Sequence, residues 1–534
     1  MNTGKQVFIN LSAKDFNIYN NDLFYNLIGD YLLAYPETNW QSLIEGEDLS
    51  KVFMEVLANN LTHVLDRNGL YHLLEKVYDF WRGQMRYLIA DMSYSRSINE
   101  VNYQDIFNNF NRMVLDSYRK MCCNLLGKNF KILRELPAGG NAFILLDKSK
   151  HVDYKELRSV RFIDSVIFRP PFVVYSKANK REGVFPIITK NPLEGININK
   201  KEWYCYPILV GKKRTFVYFK ARYMSLALAL SNLFEHDDEY KNHKPDNIIL
   251  FGTNTVEGIY HDKEKDLYIA SLTERDEIDY FGYMKKIILT VHNIEMINEN
   301  SLPLHGACVS LTLKDHTTKN IVLIGDSGAG KSETLEALRK ISNDYVLDMT
   351  TIFDDMGTLT LEDGELKAYG TEIGAFVRTD DLENDYTYKV FDRAIFMNPS
   401  ASNARIVIPI SSYEDITKGI SIDAIFYANN YTKKDKKIEI FDNKDSALEV
   451  FKKGERVAKG TTGEVGLVST FFANPFGPVQ LEAETNVLLD TYFNYFFNNN
   501  IQVGEIYTGL ALEKGHLNPV YAAEELLKRL KGDN

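Results

Sequence analysis

The residues with the clearest chemical purpose are the run Gly325-Asp326-Ser327-Gly328-Ala329-Gly330-Lys331-Ser332, set directly behind the apolar stretch Asn320-Ile321-Val322-Leu323-Ile324. Strand, glycine-rich loop and helix in this order make the phosphate-binding pattern GxxxxGK[ST]. The glycines let backbone N–H groups converge on phosphate oxygens, and the helix after the loop, Glu333 to Lys340, turns its positive end toward them. Lys331 adds a point charge and Ser332 reaches a divalent metal. A chance glycine-rich turn would lack the strand before it and the helical Glu333-Thr334-Leu335-Glu336-Ala337-Leu338 after it. Residues 325–333 are therefore expected to bind a nucleoside triphosphate with Mg²⁺ or Mn²⁺.

A loop of this kind needs an acid to hold the metal across the phosphates. Tyr345-Val346-Leu347-Asp348 reads as a strand ending in a carboxylate 17 residues past Lys331, so Asp348 is the first expected metal acid. Asp354 and Asp355 rank second, because Asp-Asp-Met-Gly also reads as a turn leading to a hairpin at Glu362-Asp363-Gly364. Three further positions have suitable chemistry. Lys286 can ligate a metal if its pKa is depressed, and the adjacent Lys285 and a divalent ion both push that way. His305, read as lying on a short loop, offers a neutral imidazole to Mn²⁺. Arg405 can give forked contacts to phosphoryl oxygens. Taken singly, each has a plainer reading, as a solvated helix face, a loop histidine and a strand-edge ion pair.

In their order these stretches resemble phosphoenolpyruvate carboxykinase of the ATP-using branch, within the superfamily that it shares with HPr kinase/phosphorylase. Tyr280-Phe281-Gly282-Tyr283-Met284-Lys285-Lys286 is similar to a family segment whose second lysine ligates the catalytic metal and whose tyrosine lines the substrate pocket. Leu302-Pro303-Leu304-His305 is similar to one whose histidine is another ligand. Ser402-Asn403-Ala404-Arg405-Ile406-Val407-Ile408-Pro409-Ile410 resembles one whose arginine contacts the transferred phosphoryl group. Phe451-Lys452-Lys453-Gly454, Lys459-Gly460-Thr461-Thr462-Gly463 and Phe472-Ala473-Asn474-Pro475-Phe476-Gly477 resemble the carboxy-terminal segments that close over the nucleotide base.

The resemblance implies conversion of oxaloacetate and ATP to phosphoenolpyruvate, ADP and CO2. Lys331 and the loop would hold ATP, Ser332 and Asp348 the nucleotide metal, Lys286 and His305 a Mn²⁺ that stabilises an enolate, and Arg405 the moving phosphoryl, with Tyr280 in the substrate pocket. Three departures stand out. The family's two consecutive aspartates are replaced by Asp348-Met349. The loop reads Gly-Asp-Ser-Gly-x-Gly-Lys-Ser-Glu-Thr, closer to HPr kinase/phosphorylase. The arginine-bearing segment that holds the substrate carboxylate is absent, leaving Arg158, Arg161 or Arg169 to replace it. Two other functions follow from these departures: a kinase acting on a protein serine or a small-molecule hydroxyl, with Asp348 or another carboxylate as base, and a non-catalytic nucleotide sensor.

These residues need a scaffold, and 534 residues at 45% hydrophobic content are enough for two to four structural units. Residues 1–128 carry a helical pattern, as in Leu49 to Leu57 and Leu73 to Trp81, whose aromatic residues read as core. Short β-like runs fill 129–279, a mixed α/β region in which Leu233 to Glu239, with its histidine among carboxylates, reads as a solvated loop. From 280 to 534, strands and helices alternate around the phosphate loop. The expected fold class is thus α/β: a mixed-sheet nucleotide domain resembling that of phosphoenolpyruvate carboxykinase, a mixed middle domain and a helical N-terminal region. A net charge of −11 without a basic run argues against a nucleic-acid partner. No stretch approaches the length of a membrane span, and the first residues lack an apolar core, so a cytoplasmic location is expected. Cys122, Cys123, Cys205 and Cys308 show no framework spacing and are expected as reduced, mostly buried thiols. The expected ligands are a nucleotide and a small-acid or hydroxyl acceptor, and the N-terminal region is available to a protein partner.

Overall fold

The computed structural model describes residues 4–9, 22–92, 103–149, 151–181, 183–341, 345–379, 391–458, 466–512 and 518–530. Among them it shows a mixed α/β fold with several mixed sheets and 11 α-helices. None of these helices is long and apolar enough to cross a membrane. The chain divides into two compact units, residues 1–149 with 160–172, and residues 150–159 with 173–534.

In the first unit the amphipathic periodicity produces the helices it predicts. The helix Arg67–Arg82 buries Leu70, Leu73, Leu74, Val77, Tyr78 and Trp81 along one face, and the Asp66 side chain caps it by accepting from the Gly69 N–H at 3.0 Å. The aromatics Tyr31, Phe53, Tyr78 and Trp81 are core residues. The region is not helical throughout, because strands Lys5–Phe8 and Arg86–Asp91 pair in parallel. Leu88-Ile89-Ala90 is fully buried, and so short an apolar run cannot be told from a helix segment by periodicity. The sheet of this unit continues through Ala142–Asp147 to the antiparallel Arg161–Phe168, past the expected boundary at residue 129.

In the second unit, Trp203–Val210, Lys213–Lys220, Asn247–Thr253, Leu267–Thr273 and Gly258–Asp262 lie side by side in that order. The segment from Leu233 to Glu239 is not the solvated loop expected. Leu233 and Phe234 are fully buried, Glu235–His236 pairs with the Trp203–Val210 strand, and the buried Asp237 carboxylate accepts from the Arg214 guanidinium. The acidic sequence hid a core ion pair supplied by a distant arginine.

The sheet that carries the chemistry has seven strands, in the order Glu365–Gly370, Val346–Glu362, Leu302–Leu313, Thr318–Ile324, Ala424–Asn429, Gln502–Tyr507 and Ile438–Ile440. Its middle pairs, from Thr318–Ile324 to Gln502–Tyr507, are parallel and the others antiparallel. Both faces are covered, which explains why the central strands read as unbroken apolar runs. Val309, Leu311, Ile321 and Leu323 pack with Leu335 and Leu338 of the helix Lys331–Ile341. The alternate residues Leu304, Cys308, Val322 and Ile324 share the opposite core with Leu489 and Phe493 of the helix Glu482–Asn498. A smaller antiparallel sheet sets Gly374–Arg378 and Ile395–Met397 on either side of Arg405–Pro409. The four cysteines are free thiols, and Cys122, Cys205 and Cys308 are buried.

Candidate nucleotide and metal site

The phosphate loop sits where the strand Thr318–Ile324 ends and the helix Lys331–Ile341 begins. Gly328 and Gly330 have φ of +80° and +94°, values open to glycine without cost. A Cβ on Gly330 would stand 2.6 Å from Thr508 Oγ1. That hydroxyl donates to the Ala329 carbonyl at 2.6 Å, and Asn430 Nδ2 donates to the Gly328 carbonyl at 3.0 Å, so the loop is braced from two neighbouring strand ends. Lys331 is buried and donates to the Gly325 and Asp326 carbonyls at 2.6 and 3.2 Å. Burial lowers its pKa, so an anionic ligand would relieve an ammonium that now rests on backbone dipoles. Asp326 turns its carboxylate inward, accepting from the Ser327 N–H at 2.6 Å and from Arg456 Nε at 2.9 Å.

The acids facing the loop are Asp354 and Asp355, not Asp348. The long strand Val346–Glu362 pairs antiparallel with Leu302–Leu313, placing Asp348 opposite Thr312, Asp354 opposite Ala307 and Asp355 opposite Gly306. The seven residues from Asp348 to Asp355 separate them by about 20 Å along an extended strand. Asp348 is exposed and accepts from the Thr350 hydroxyl at 3.1 Å. Asp354 and Asp355 lie within the strand instead of the turn that their sequence suggested, and the reversal comes later, at Asp363-Gly364 with φ of +51° and +83°. Consecutive strand residues ordinarily face opposite sides. Here the backbone at Asp355 departs to φ +150°, and both carboxylates line one cavity. Ser332 Oγ donates to Asp354 Oδ1 at 2.9 Å, uniting the loop hydroxyl with an acid in the arrangement a nucleotide metal uses.

Asp355 is the centre of a second cluster. Lys286 Nζ and Lys285 Nζ each lie 2.7 Å from its Oδ2, and His305 Nε2 lies 3.0 Å from its Oδ1. Lys285 also pairs with Glu372 Oε1 at 2.9 Å. The lysines come from the helix Phe281–Asn298, which is buried on nearly every side, so the solvated-face reading of this pair does not hold. His305 belongs to the strand Leu302–Leu313 instead of a loop. Burial works against the Asp355 carboxylate, but the two ammonium groups and His305 overcome it and hold its pKa well below the usual range. Burial pushes Asp354 upward. Lys286 is lowered to about 8 by burial first, with the Lys285 charge contributing less.

His305 faces acceptors on both sides. Nδ1 is 2.9 Å from the Ala473 carbonyl and Nε2 is 3.0 Å from Asp355. A neutral imidazole has one proton for these two contacts. Burial, followed by the Lys331 charge, lowers the pKa of His305 and disfavours the imidazolium that would satisfy both. With Nδ1–H given to Ala473, the Nε2 lone pair meets a carboxylate, and two electron-pair donors that face each other fit a shared cation. Among the described residues no group of three or more His, Cys, Asp or Glu side chains is arranged to hold a metal. The donor set at Asp355 has one aspartate and one histidine and is completed by a lysine.

Both clusters open into one cavity of about 940 Å³. Tyr280 and Arg405 also line it, the arginine with its guanidinium 4.9 Å from the centre of the Phe376 ring. Gly282 is needed beside Tyr280, whose ring would be 2.4 Å from a Cβ there. None of the three arginines expected to replace the missing segment lines this cavity. Arg161 pairs with Asp91 and Arg169 stacks on Phe107 in the first unit, and Arg158 is exposed. Arg181 lines it instead, over the ring of Phe476 at 4.9 Å, a ring that also carries Lys286 Nζ at 4.6 Å. Arg378, directly opposite Arg405 in the strand pairing, and Arg456 complete the basic wall. No sequence pattern flagged these three, since each is a lone basic residue made significant by its neighbours in space. Lys459 to Gly463 fall outside the described residues, whereas Phe471, Pro475 and Phe476 line the cavity.

No family model matches this chain, and no curated protein matches it. Its function is therefore argued from the site itself.

Proposed function

We propose that this chain is an ATP- and divalent-metal-dependent phosphotransferase that works in the manner of phosphoenolpyruvate carboxykinase on oxaloacetate or a related small acid. The observation that carries the reading is the meeting of Lys286, His305 and Asp355 beside Ser332 and Asp354, two metal-competent clusters built on consecutive aspartates. The resemblance in sequence led to Lys286, His305 and the loop, and the consecutive aspartates missing at Asp348-Met349 have a counterpart in Asp354-Asp355.

In this reading Lys331 and the loop N–H groups hold the β and γ phosphates, and Ser332 and Asp354 hold Mg²⁺ with them. Lys286, His305 and Asp355 hold Mn²⁺. The ions supply charge neutralisation at the phosphoryl and acceptor oxygens. Arg405, with Arg378 across the strand pair, meets the charge that develops on the transferred phosphoryl, while Arg181 faces the acceptor's carboxylate. The low pKa of Lys286 lets it give up a proton to become a ligand. Eight basic side chains line the cavity against four acidic ones, a balance suited to a polyanionic nucleotide and a carboxylate acceptor.

A hydroxyl kinase of the HPr kinase type is the second reading. It is favoured by Asp354, whose burial raises its pKa and makes it a better base beside Ser332. Coupled turnover of oxaloacetate, ATP and Mn²⁺, scored as phosphoenolpyruvate and ADP, separates the two. Product from the wild type that is lost in Lys286→Ala and Lys331→Ala supports the first. ATP binding through Lys331 without phosphoenolpyruvate overturns it in favour of a hydroxyl acceptor.

A further inference from the structure

Glu372 has no place in the reaction described above, does not line the cavity, and is nonetheless among the most deeply buried ionisable side chains of the second unit, at 4% exposure. Neither of its oxygens makes a geometrically sound hydrogen bond, and its counter-charge is the Lys285 ammonium, 2.9 Å from Oε1. A buried carboxylate in this state is costly unless a charge partner offsets it. Lys285 is itself only 1% exposed and stands between two acids, with Asp355 Oδ2 at 2.7 Å on its other side. Asp355 therefore has two lysines competing for the same oxygen. If Lys285 were left to Asp355 alone, its full charge would sit on the carboxylate that the metal needs.

We infer that Glu372 is a positioning residue that shares the Lys285 ammonium with Asp355, offsetting part of its charge, and so keeps that carboxylate available to a divalent cation held with Lys286 and His305. The inference rests on the metal reading of the Asp355 cluster. Outer partners that orient metal ligands commonly carry about ten- to hundredfold in affinity. A carboxylate acting through a lysine has a further signature: deleting the lysine repairs the loss of the carboxylate.

The experiment is Mn²⁺ titration of the full chain followed by the electron paramagnetic resonance of the free ion, with ATP·Mg²⁺ affinity measured in parallel. Wild type, His305→Gln, Glu372→Gln and Lys285→Met/Glu372→Gln are compared after their melting curves. Glu372→Gln is expected to weaken the His305-dependent Mn²⁺ site by about ten- to hundredfold and ATP·Mg²⁺ by less than roughly threefold. The double variant is expected to recover most of the lost Mn²⁺ affinity. Folded Glu372→Gln with Mn²⁺ affinity within roughly twofold of wild type overturns the inference, as does a double variant no better than the single one. If Glu372→Gln does not fold, the double variant decides alone, since it buries no lone charge. Affinity within roughly threefold of wild type supports the inference, and a loss of about tenfold or more overturns it. A wild type whose Mn²⁺ binding is indifferent to His305→Gln overturns the metal reading itself, and this inference with it.

Discussion

Lys286 gives the sharpest test of the site, because its proposed role as a metal ligand depends on losing a proton. Its pKa is lowered from 10.5 to about 8, mostly by burial. At pH 7 an amine of pKa 10.5 is neutral in about 0.03% of molecules, and one of pKa 8 in about 10%. The difference is worth about 3 kcal/mol toward binding a cation. Because the ammonium must deprotonate to bind, Mn²⁺ affinity should rise with pH by about tenfold per unit up to pH 8 and level off above it. His305 adds steepness only at lower pH, since its own pKa lies below the ordinary 6.5. Isothermal titration of Mn²⁺ between pH 6.5 and 9.5 on wild type and Lys286→Gln reads this directly. The variant keeps an oxygen donor but has no titrating amine, so its affinity should be lower at pH 9 and nearly flat from pH 7 upward. A flat wild-type profile, or equal slopes in the two proteins, would refute the assignment of Lys286 as a ligand.

Other substitutions probe the remaining parts. Asp354→Asn should weaken ATP·Mg²⁺ binding by about tenfold or more, through loss of one charge-assisted contact, whereas Asp348→Asn should leave it within roughly twofold; calorimetric titration of both reverses this assignment if Asp348 is the more sensitive. Lys331→Ala removes a buried cation and should cost about 1.5–3 kcal/mol of nucleotide affinity, a factor of roughly 10–150. Gly330→Ala places a Cβ 2.6 Å from Thr508 Oγ1 at φ +94°, so the melting temperature should fall along with nucleotide binding. An unaltered melting curve would show that the loop has room to move. Arg405→Lys keeps the charge and loses the fork, so kcat should drop by about 10²-fold while KM for ATP changes little. A change confined to KM would place Arg405 in ground-state binding.

What could be read from the sequence divides by the range of the interactions involved. The glycine-rich loop was legible as structure because strand, glycines, lysine and helix are contiguous and their geometry is local. The lysine pair and His305 were legible as chemistry but not as structure. A lysine doublet on a helix looks solvated unless one knows that the whole helix is enclosed, and a histidine after Pro303 looks like a loop unless the strand on either side of it is seen. Asp348 and Asp355 show the limit most clearly. Both are carboxylates on one strand at plausible distances from Lys331, and local pattern favoured the one at a clean strand end. Register decided otherwise, since the antiparallel pairing with Leu302–Leu313 puts Asp355 beside Gly306 and leaves Asp348 opposite Thr312.

The basic wall carries the argument one step further. Arg181, Arg378 and Arg456 come from three separate segments, and only the fold gathers them around the same cavity. Arg378 and Arg405 are direct cross-strand neighbours, a like-charge pairing that ordinarily weakens a sheet. The strands keep it beside a cavity whose own acids are already engaged, Asp326 by Arg456 and Asp355 by Lys285, Lys286 and His305. Among the described residues, the cavity lining thus carries more basic than acidic side chains. A ligand bringing several negative charges would stabilise the fold as well as occupy the site, so ATP·Mg²⁺ should raise the melting temperature of the wild type. It should raise that of Arg405→Met by less, because that variant offers the ligand one positive charge fewer. An equal ligand-induced shift in the two proteins would show that the arginine pair does not face the nucleotide.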